Sequence, residues 1–435
     1  MIAILKSNLP DFNTSLDAHL ALPQEDTKLV QDQVREILDN IKEHGDKALL
    51  QYCRQYDGLE IEAANNLLVS QDAIRAAPAQ LANRVKDALQ RSIERVRQYH
   101  VKEKETLPDS GWRYRDQFGN QLGQRLRPIK KVGIYAPGGK ATYPSTIVMT
   151  AIPAMVAGVR DVSLAVPSST GVLDPVLLAA AHYCGVSSIY MMGGAQAIAA
   201  FAYGTATIPR VDKICGPGNL YVATAKQQVY GDVGIDMIAG PSEVLIVADK
   251  TANIDWLVAD MLAQAEHDEL AQAIVVSASE QVLKEINTRL ATAIGQTRRI
   301  DIVTASIRNR ALLIHAESES HLADIVNRIA PEHLELAVDE PDQLLAEIDC
   351  AGAVFVGQHS PEVVGDYAAG PSHVLPTGGT ARFASVLGVN DFQVRSSLIQ
   401  CSASGVLALA EDAAVLAEQE GLFAHAESAR FRLQG

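Results

Sequence analysis

The sequence predicts an α/β protein with two parallel-sheet domains in series, a short N-terminal arm and a helical C-terminal tail. Three observations carry that expectation. From Lys131 onward short apolar runs alternate with helical stretches. The alternation pauses at Ala239-Gly240-Pro241, a strong turn signal, and then resumes. After about Gly388 the strand texture stops and Ala403–Gly421 reads as an Ala/Leu/Glu-rich helix. At 435 residues the chain is long enough for more than one core.

In chain order, residues 1–25 are mixed and polar and read as an arm. From Thr27 to Tyr56 apolar residues recur at helical spacing, at Val30, Val34, Ile37 and Ile41. A second helical stretch runs from Ala73 to His100, and Glu103–Gln124 is a turn-rich, aromatic loop or short hairpin. Strands are expected at Val132–Tyr135, Val162–Val166, Ile189–Met192 and Lys213–Cys215. Helices between them are expected near Ser145–Gly158, Pro175–Cys184, Gln196–Tyr203 and Leu220–Val229. The pattern resumes at Val244–Ala248, Ala273–Ser277, Leu334–Val338 and Ala353–Val356. The expected division is 26–134 plus 242–387 as the first α/β domain, 135–241 as the second, and 388–435 as a tail. That tail is too small for its own core and must pack on the body or on a partner chain.

Composition narrows the function classes. A hydrophobic share of 48% with 20% charge is that of an ordinary globular protein. The net charge of −15 argues against a nucleic-acid binder, which needs a basic footprint. Cys53, Cys184, Cys215, Cys350 and Cys401 are odd in number and scattered without a CxxC pair, which speaks against a thiolate zinc site or a disulfide framework. A reducing, cytoplasmic setting fits. The N-terminus lacks a signal-peptide core. No apolar run reaches the roughly 18 residues of a membrane span, and the longest, Val148–Val159, is broken by Pro153.

Three strand-to-helix junctions are glycine-rich: Pro137-Gly138-Gly139-Lys140, Gly193-Gly194-Ala195-Gln196 and Gly216-Pro217-Gly218-Asn219. Open α/β sheets bind anionic ligands at this edge, where backbone N–H groups at helix N-termini face outward. The first is not a Walker A loop, because Gly139 stands where the lysine belongs. The third begins like a dinucleotide fingerprint but has Tyr221 in place of the last glycine, with Asp236 downstream at a spacing suited to a ribose contact. Each alone is equally well a tight turn between packed elements. Together they suit a nucleotide-sized ligand on a Rossmann-like sheet.

Four histidine stretches have acidic or amide neighbours: Gln264 to His267, Pro331 to His333, Asp366 to His373 and Glu420 to His425. Gln264 and His267 are three apart on a helix, which puts both on one face. Asp366 and His373 lie in a Gly/Pro-rich loop. Nitrogen and oxygen donors without sulfur suit Zn²⁺, Mn²⁺ or a similar ion, or else these are solvated histidines. Glu332-His333 pairs a carboxylate with the side chain best able to move a proton near neutral pH.

Several blocks together resemble the histidinol dehydrogenase family: VGIYAPGGKATYPST (132–146), GGAQAIAAFAYGT (193–205), DKICGPGN (212–219), IDMIAGPSEVLIVAD (235–249), QAEHD (264–268), APEHLEL (330–336), GDYAAGPSHVLPTGGTARF (365–383) and EGLFAH (420–425). The resemblance runs from about residue 25 to the C-terminus. Ser372 and Ala136 depart from it, where asparagine and valine are more usual, but neither is a proposed ligand. The resemblance implies NAD-dependent oxidation of L-histidinol to L-histidine through the aldehyde. It implies one Zn²⁺ per subunit on Gln264, His267, Asp366 and His425, with Glu332 and His333 as the acid–base pair. It further implies substrate contacts at Ser242, Gln264, His267, His333, Asp366, His373, Glu420 and His425, and NAD contacts at Tyr135, Gln196 and Asn219. The first domain would then hold the metal and catalytic residues and the second the NAD contacts. A homodimer would share its active sites through the tail, with no nucleic acid or membrane involved. Two other readings remain open at this point: a paralogue oxidising another polyol, such as a sulfonated diol, and a zinc hydrolase in which Glu332 activates water.

Overall fold

The computed structural model describes residues 2–21, 27–107, 110–138 and 142–433. In chain order its strands are β1 (Ile4–Lys6), β2 (Gly111–Arg115), β3 (Gln121–Pro128), β4 (Lys131–Tyr135), β5 (Asp161–Val166), β6 (Ser188–Met191), β7 (Lys213–Cys215), β8 (Gly234–Ile235), β9 (Glu243–Ala248), β10 (Gln272–Ser277), β11 (Leu312–His315), β12 (His333–Ala337), β13 (Ala353–Val356) and β14 (Gln393–Gln400).

Two sheets are wholly parallel, one ordered β6-β5-β4-β7-β8 and the other β1-β11-β10-β9-β12-β13. Without β1 the two orders are the same: third, second, first, fourth and fifth strand of each unit. Each sheet winds outward from its first strand and then returns to wind the other way. That puts a switch point between β4 and β7 in one and between β9 and β12 in the other. Helices cover both faces, so the central strands read as apolar runs. β9 and β10 are buried along their whole lengths.

The helices Thr27–His44, Gln71–Gln80 and Asn83–Glu105 pack on the five-stranded sheet. The sequence reading grouped residues 26–134 with 242–387. Val30, Val34, Ile37, Ile93 and Val96 share one core with Val132, Ile134, Ile198 and Phe201. The cause is the helix Gly194–Tyr203, whose residues 195–202 are all buried. A helix without a polar face needs a second layer over it, and the Val30-Val34-Ile37-Ile41 stripe provides one.

Two further expectations change. Strand texture does not stop at Gly388, because β14 pairs antiparallel with β3 in a small third sheet, β14-β3-β2. Its residues are mostly exposed, so no apolar pattern marks it. The arm is also part of the body. β1 pairs with β11 and closes an open sheet edge, and Phe12 and Leu16 sit in the core beneath. Arg310 fastens this segment by donating to the carbonyls of His19 and Ala21. Residues 22–25 of the arm lie outside the described residues.

The tail forms two helices, Ala403–Gln419 and Phe423–Phe431, tied to each other by Arg430 with Glu411 and Glu418. Only Gly405, Ala410 and Ala414 are buried on the first helix, while Leu407, Leu416, Phe423 and Phe431 are exposed. The tail buries little against its own chain.

A buried ion pair braces the turn after β7. Lys226 and Asp236 pair with almost no exposure of either side chain. Lys226 Nζ also donates to the Gly216 carbonyl (2.9 Å), and Asp236 Oδ2 accepts from the Gly216 N–H (2.7 Å). Asp236 is therefore committed to the turn, and the ribose contact suggested by its spacing is not available to it. Lys226→Met strands a buried carboxylate and is expected to cost about 3–5 kcal/mol in urea unfolding. Lys226→Met with Asp236→Leu should recover much of that loss, and equal losses in the single and double variants would refute the pairing.

Candidate active site

At the carboxyl edge of the five-stranded sheet lies an open cleft of about 880 Å³, lined among others by Asp57, Tyr135, Gln196, Asn219 and Tyr221. Its size suits a nucleotide. Tyr135, at the end of β4, accepts the Gly194 N–H on its hydroxyl (3.2 Å). Gln196 is buried, and Asn219 caps the helix Leu220–Val229 by accepting from Val222 N (3.1 Å). The structure thus brings the expected cofactor residues Tyr135, Gln196 and Asn219 into one cleft. Gly139 and Lys140 of the first glycine junction lie outside the described residues.

Sequence reasoning missed Asp57. It arrives from the helical layer and accepts from Gly193 N (3.0 Å) and Gln196 Nε2 (3.2 Å). Burial holds its carboxyl above the usual range. The approach explains Gly193, because a Cβ there would come within 2.6 Å of Asp57 Oδ1 and of the Pro167 ring. No local pattern announces a residue acting so far along the chain.

The second cluster sits at the amino edge of the six-stranded sheet. The helix Ile254–Ala265 ends there and delivers Gln264 and His267. β12 starts there with His333, preceded by Glu332. The turn 362–369 delivers Glu362 and Asp366. Donor atoms of His267, Glu362 and Asp366 all lie within 4.8 Å of one another. Gln264 is fully buried with neither amide atom hydrogen-bonded. His373 Nδ1 stands 3.8 Å from Asp366 Oδ1, and Ser242 immediately precedes β9 at the same edge.

Glu332 and His333 are held by one strand end. Glu332 Oε2 accepts from Glu243 N (2.8 Å), and Glu332 N donates to Glu243 Oε1 (3.2 Å). His333 Nδ1 lies 3.0 Å from the Glu243 carbonyl. A carbonyl only accepts, so Nδ1 carries the proton and Nε2 is the free base. Nε2 is buried without a partner, 3.8 Å from Asp366 Oδ1.

Burial drives the electrostatics. It pushes His333 down to about 3 and His373 down to about 4, and it also lowers His267. The imidazoles are therefore neutral at physiological pH. Burial also raises Glu332 and Glu362 well above the carboxylate range and lifts Asp366, and neighbouring carboxylates push Glu332 and Glu362 further. Crowded acceptors and neutral imidazoles make a donor set that a divalent cation would satisfy.

Glu420 and His425 are both exposed on the tail and are not part of this cluster within one chain. Glu243 and Glu362 were missed by sequence reasoning. Glu362 carried a usable signal, since it stands four residues before Asp366 and so shares a helical face with it. Glu243 looked like an ordinary strand start. Ser372, the departure beside His373, donates to the Met149 carbonyl (3.1 Å) and ties the loop to the other half of the molecule.

The molecule combines two doubly wound sheets, a nucleotide-sized cleft and a buried cluster of carboxyls and imidazoles. Comparison with known proteins gives the family. The histidinol dehydrogenase model matches residues 20–433, and the chain belongs to that family. It is 49% identical to the histidinol dehydrogenase of Psychrobacter arcticus, over 98% of each chain. It is 46% identical to that of Pseudomonas aeruginosa, covering 98% of this chain and 96% of the relative. The crystal structure of histidinol dehydrogenase from Elizabethkingia anophelis superposes with a TM-score of 0.91 at 33% identity, covering 100% of this chain and 98% of that one.

The unpaired amide of Gln264 generates a test. Gln264→Met removes two buried unsatisfied groups and is expected to stabilise the metal-free protein by about 1–3 kcal/mol. If the cluster holds a divalent cation, added Zn²⁺ should raise the melting temperature of the parent and raise that of the variant less. A less stable metal-free variant, or an undiminished Zn²⁺ response, would remove Gln264 from the site.

Proposed function

We propose that this chain oxidises L-histidinol to L-histidine through L-histidinaldehyde, passing two hydrides to NAD. The observation that carries this is the bare, neutral Nε2 of His333 beside Glu332 and the His267–Glu362–Asp366 cluster, in a chain of the histidinol dehydrogenase family. In the first step an alcohol loses hydride to NAD⁺ and its hydroxyl proton to His333 Nε2. In the second, water adds to the aldehyde and the hydrate loses hydride to a second NAD⁺. Once His333 has passed its first proton to solvent, Glu332 in its ionised form takes a proton from that water, and His333 takes the remaining hydroxyl proton. The Glu243 carbonyl holds Nδ1–H throughout, so the tautomer that can act as base is fixed.

The residues that would hold zinc, one per subunit, are Gln264, His267 and Asp366, with His425 from a second copy of the chain. Bound zinc supplies a Lewis acid for the imidazole and amino nitrogens of histidinol. Ser242, His373 and Glu420 complete the substrate contacts, and Tyr135, Gln196 and Asn219 hold NAD. The uncovered tail supports a homodimer with shared sites, because Leu407, Leu416, Phe423 and Phe431 stand exposed. Free thiols at Cys53, Cys184, Cys215, Cys350 and Cys401 support a cytoplasmic setting.

Purified protein with L-histidinol, NAD and Zn²⁺ should yield about two NADH per histidinol consumed. Turnover with a sulfonated diol but not with histidinol would select the paralogue reading. His333→Ala and Glu332→Gln should each lower kcat on the order of 10²–10⁴-fold with zinc content unchanged. Full activity in either would refute its role.

A further inference from the structure

The elements that carry the metal and catalytic residues meet again one layer behind the site. Asp260 lies one helical turn before Gln264 on the helix Ile254–Ala265. Glu335 lies two residues after His333 on β12, so both side chains leave the same face of the strand. Glu335 Oε1 accepts the backbone N–H of Glu362 at 2.7 Å, where the turn that carries Glu362 and Asp366 begins. The Asp260 and Glu335 carboxyls line one small crevice, where the charge of Asp260 raises Glu335.

Two carboxylates can only accept, so a hydrogen bond between them requires one shared proton. Burial raises both groups above the usual carboxylate range. Glu335 is buried, and Asp260 faces a small crevice it shares with Asn253, Trp256 and Ser360. An apolar pair would fill this place with less desolvation cost. Neither group reaches the reacting atoms, so the catalytic steps do not explain them.

We propose that the hydrogen-bonded Asp260–Glu335 pair is a positioning brace for the metal site. It locks the Gln264/His267 helix, the Glu332/His333 strand and the Glu362/Asp366 turn at a common point. Without it the turn is free to shift relative to the helix, and the donors on the two elements lose register. This rests on the reading that Gln264, His267 and Asp366 hold zinc. The brace acts through hydrogen bonds rather than charge, so an amide serves in place of the carboxylic acid. A glutamine at 335 accepts from Glu362 N with its oxygen and donates to the Asp260 carboxylate with its nitrogen.

The test is Zn²⁺ affinity of the full-length protein, read by competition with a chromogenic chelator, alongside thermal unfolding of the metal-free form. Glu335→Gln and Asp260→Asn are expected to bind Zn²⁺ within a few-fold of the parent. Glu335→Met, of similar size but unable to bond, is expected to bind on the order of 10–100-fold more weakly. If Glu335→Met does not fold, Asp260→Ala against Asp260→Asn makes the same comparison from the partly exposed side. Parental affinity in Glu335→Met, or in Asp260→Ala where it stands in, overturns the brace. So does a loss in Glu335→Gln as large as in Glu335→Met. A parent that binds no Zn²⁺, or a His267→Ala variant that binds as tightly as the parent, overturns the metal reading and the brace with it. Only the first two results strike the brace alone.

Discussion

Desolvation at the amino edge of the six-stranded sheet is the constraint from which the rest of the site follows. Glu332, Glu362 and Asp366 are buried within reach of one another, and leaving such groups ionised and unpaired costs several kcal/mol apiece. The chain meets that cost in different ways. Glu332 accepts a backbone N–H from Glu243. Glu335 accepts a backbone N–H from Glu362. Glu362 and Asp366 converge with His267, an arrangement that a cation would complete. The exclusion of water that raises the carboxyls also lowers the imidazoles, so His333 is neutral where a base is required.

The two sheets share a winding but use opposite edges. In the five-stranded sheet the crevice at the switch point stays open, and Asp57 enters from another layer to set the glycine turn beside it. In the six-stranded sheet the corresponding crevice is spanned by the chain itself. Asp249, just after β9, accepts the Asp339 N–H just after β12 (2.8 Å) and also holds Thr251 (2.7 Å). With the carboxyl edge bridged, the chemistry lies at the other end, where helix C-termini and strand starts meet. The same topology can therefore carry a nucleotide cleft in one copy and a buried donor cluster in the other. The difference is a few side chains at the loops, not the order of strands.

The parallel strands were legible because burial on both faces writes continuous apolar runs, as in EVLIVA and QAIVVS. Glu332, His333, Gln264, His267 and Asp366 were visible as odd pairings of acid, amide and imidazole in short stretches. What the pattern hid falls into clear classes. β14 carries no apolar alternation because it is exposed on both faces. β1 is a short edge strand whose partner β11 lies some three hundred residues away. The N-terminal helices read correctly as helices but not as a layer on the five-stranded sheet, because a stripe such as Val30-Val34-Ile37 says that a face is buried and not against what. Asp57, Glu243 and Glu335 act through a few long-range hydrogen bonds, which leave no periodic trace. Asp236 shows the reverse failure: a spacing that invites a functional reading belongs to a buried ion pair.

The proposed hydride transfer would demand that the nicotinamide and the alcohol carbon be held within a fraction of an ångström, although the cleft and the buried cluster lie on different sheets. The Asp366 turn is one contact between the two halves. Ser92 Oγ donates to the Tyr367 carbonyl at 2.5 Å, and Arg95 donates to those of Ala368 (2.5 Å) and Ala369 (3.2 Å). Both donors sit on the helix Asn83–Glu105, which packs on the five-stranded unit. From the other side the same turn is held by Glu335 through Glu362 N. The segment with the Asp366 carboxylate is thus clamped between the two halves. A shift of either sheet would be felt first at the residue that carries it, so the fold couples its nucleotide cleft to its buried cluster through backbone carbonyls rather than through a flexible loop.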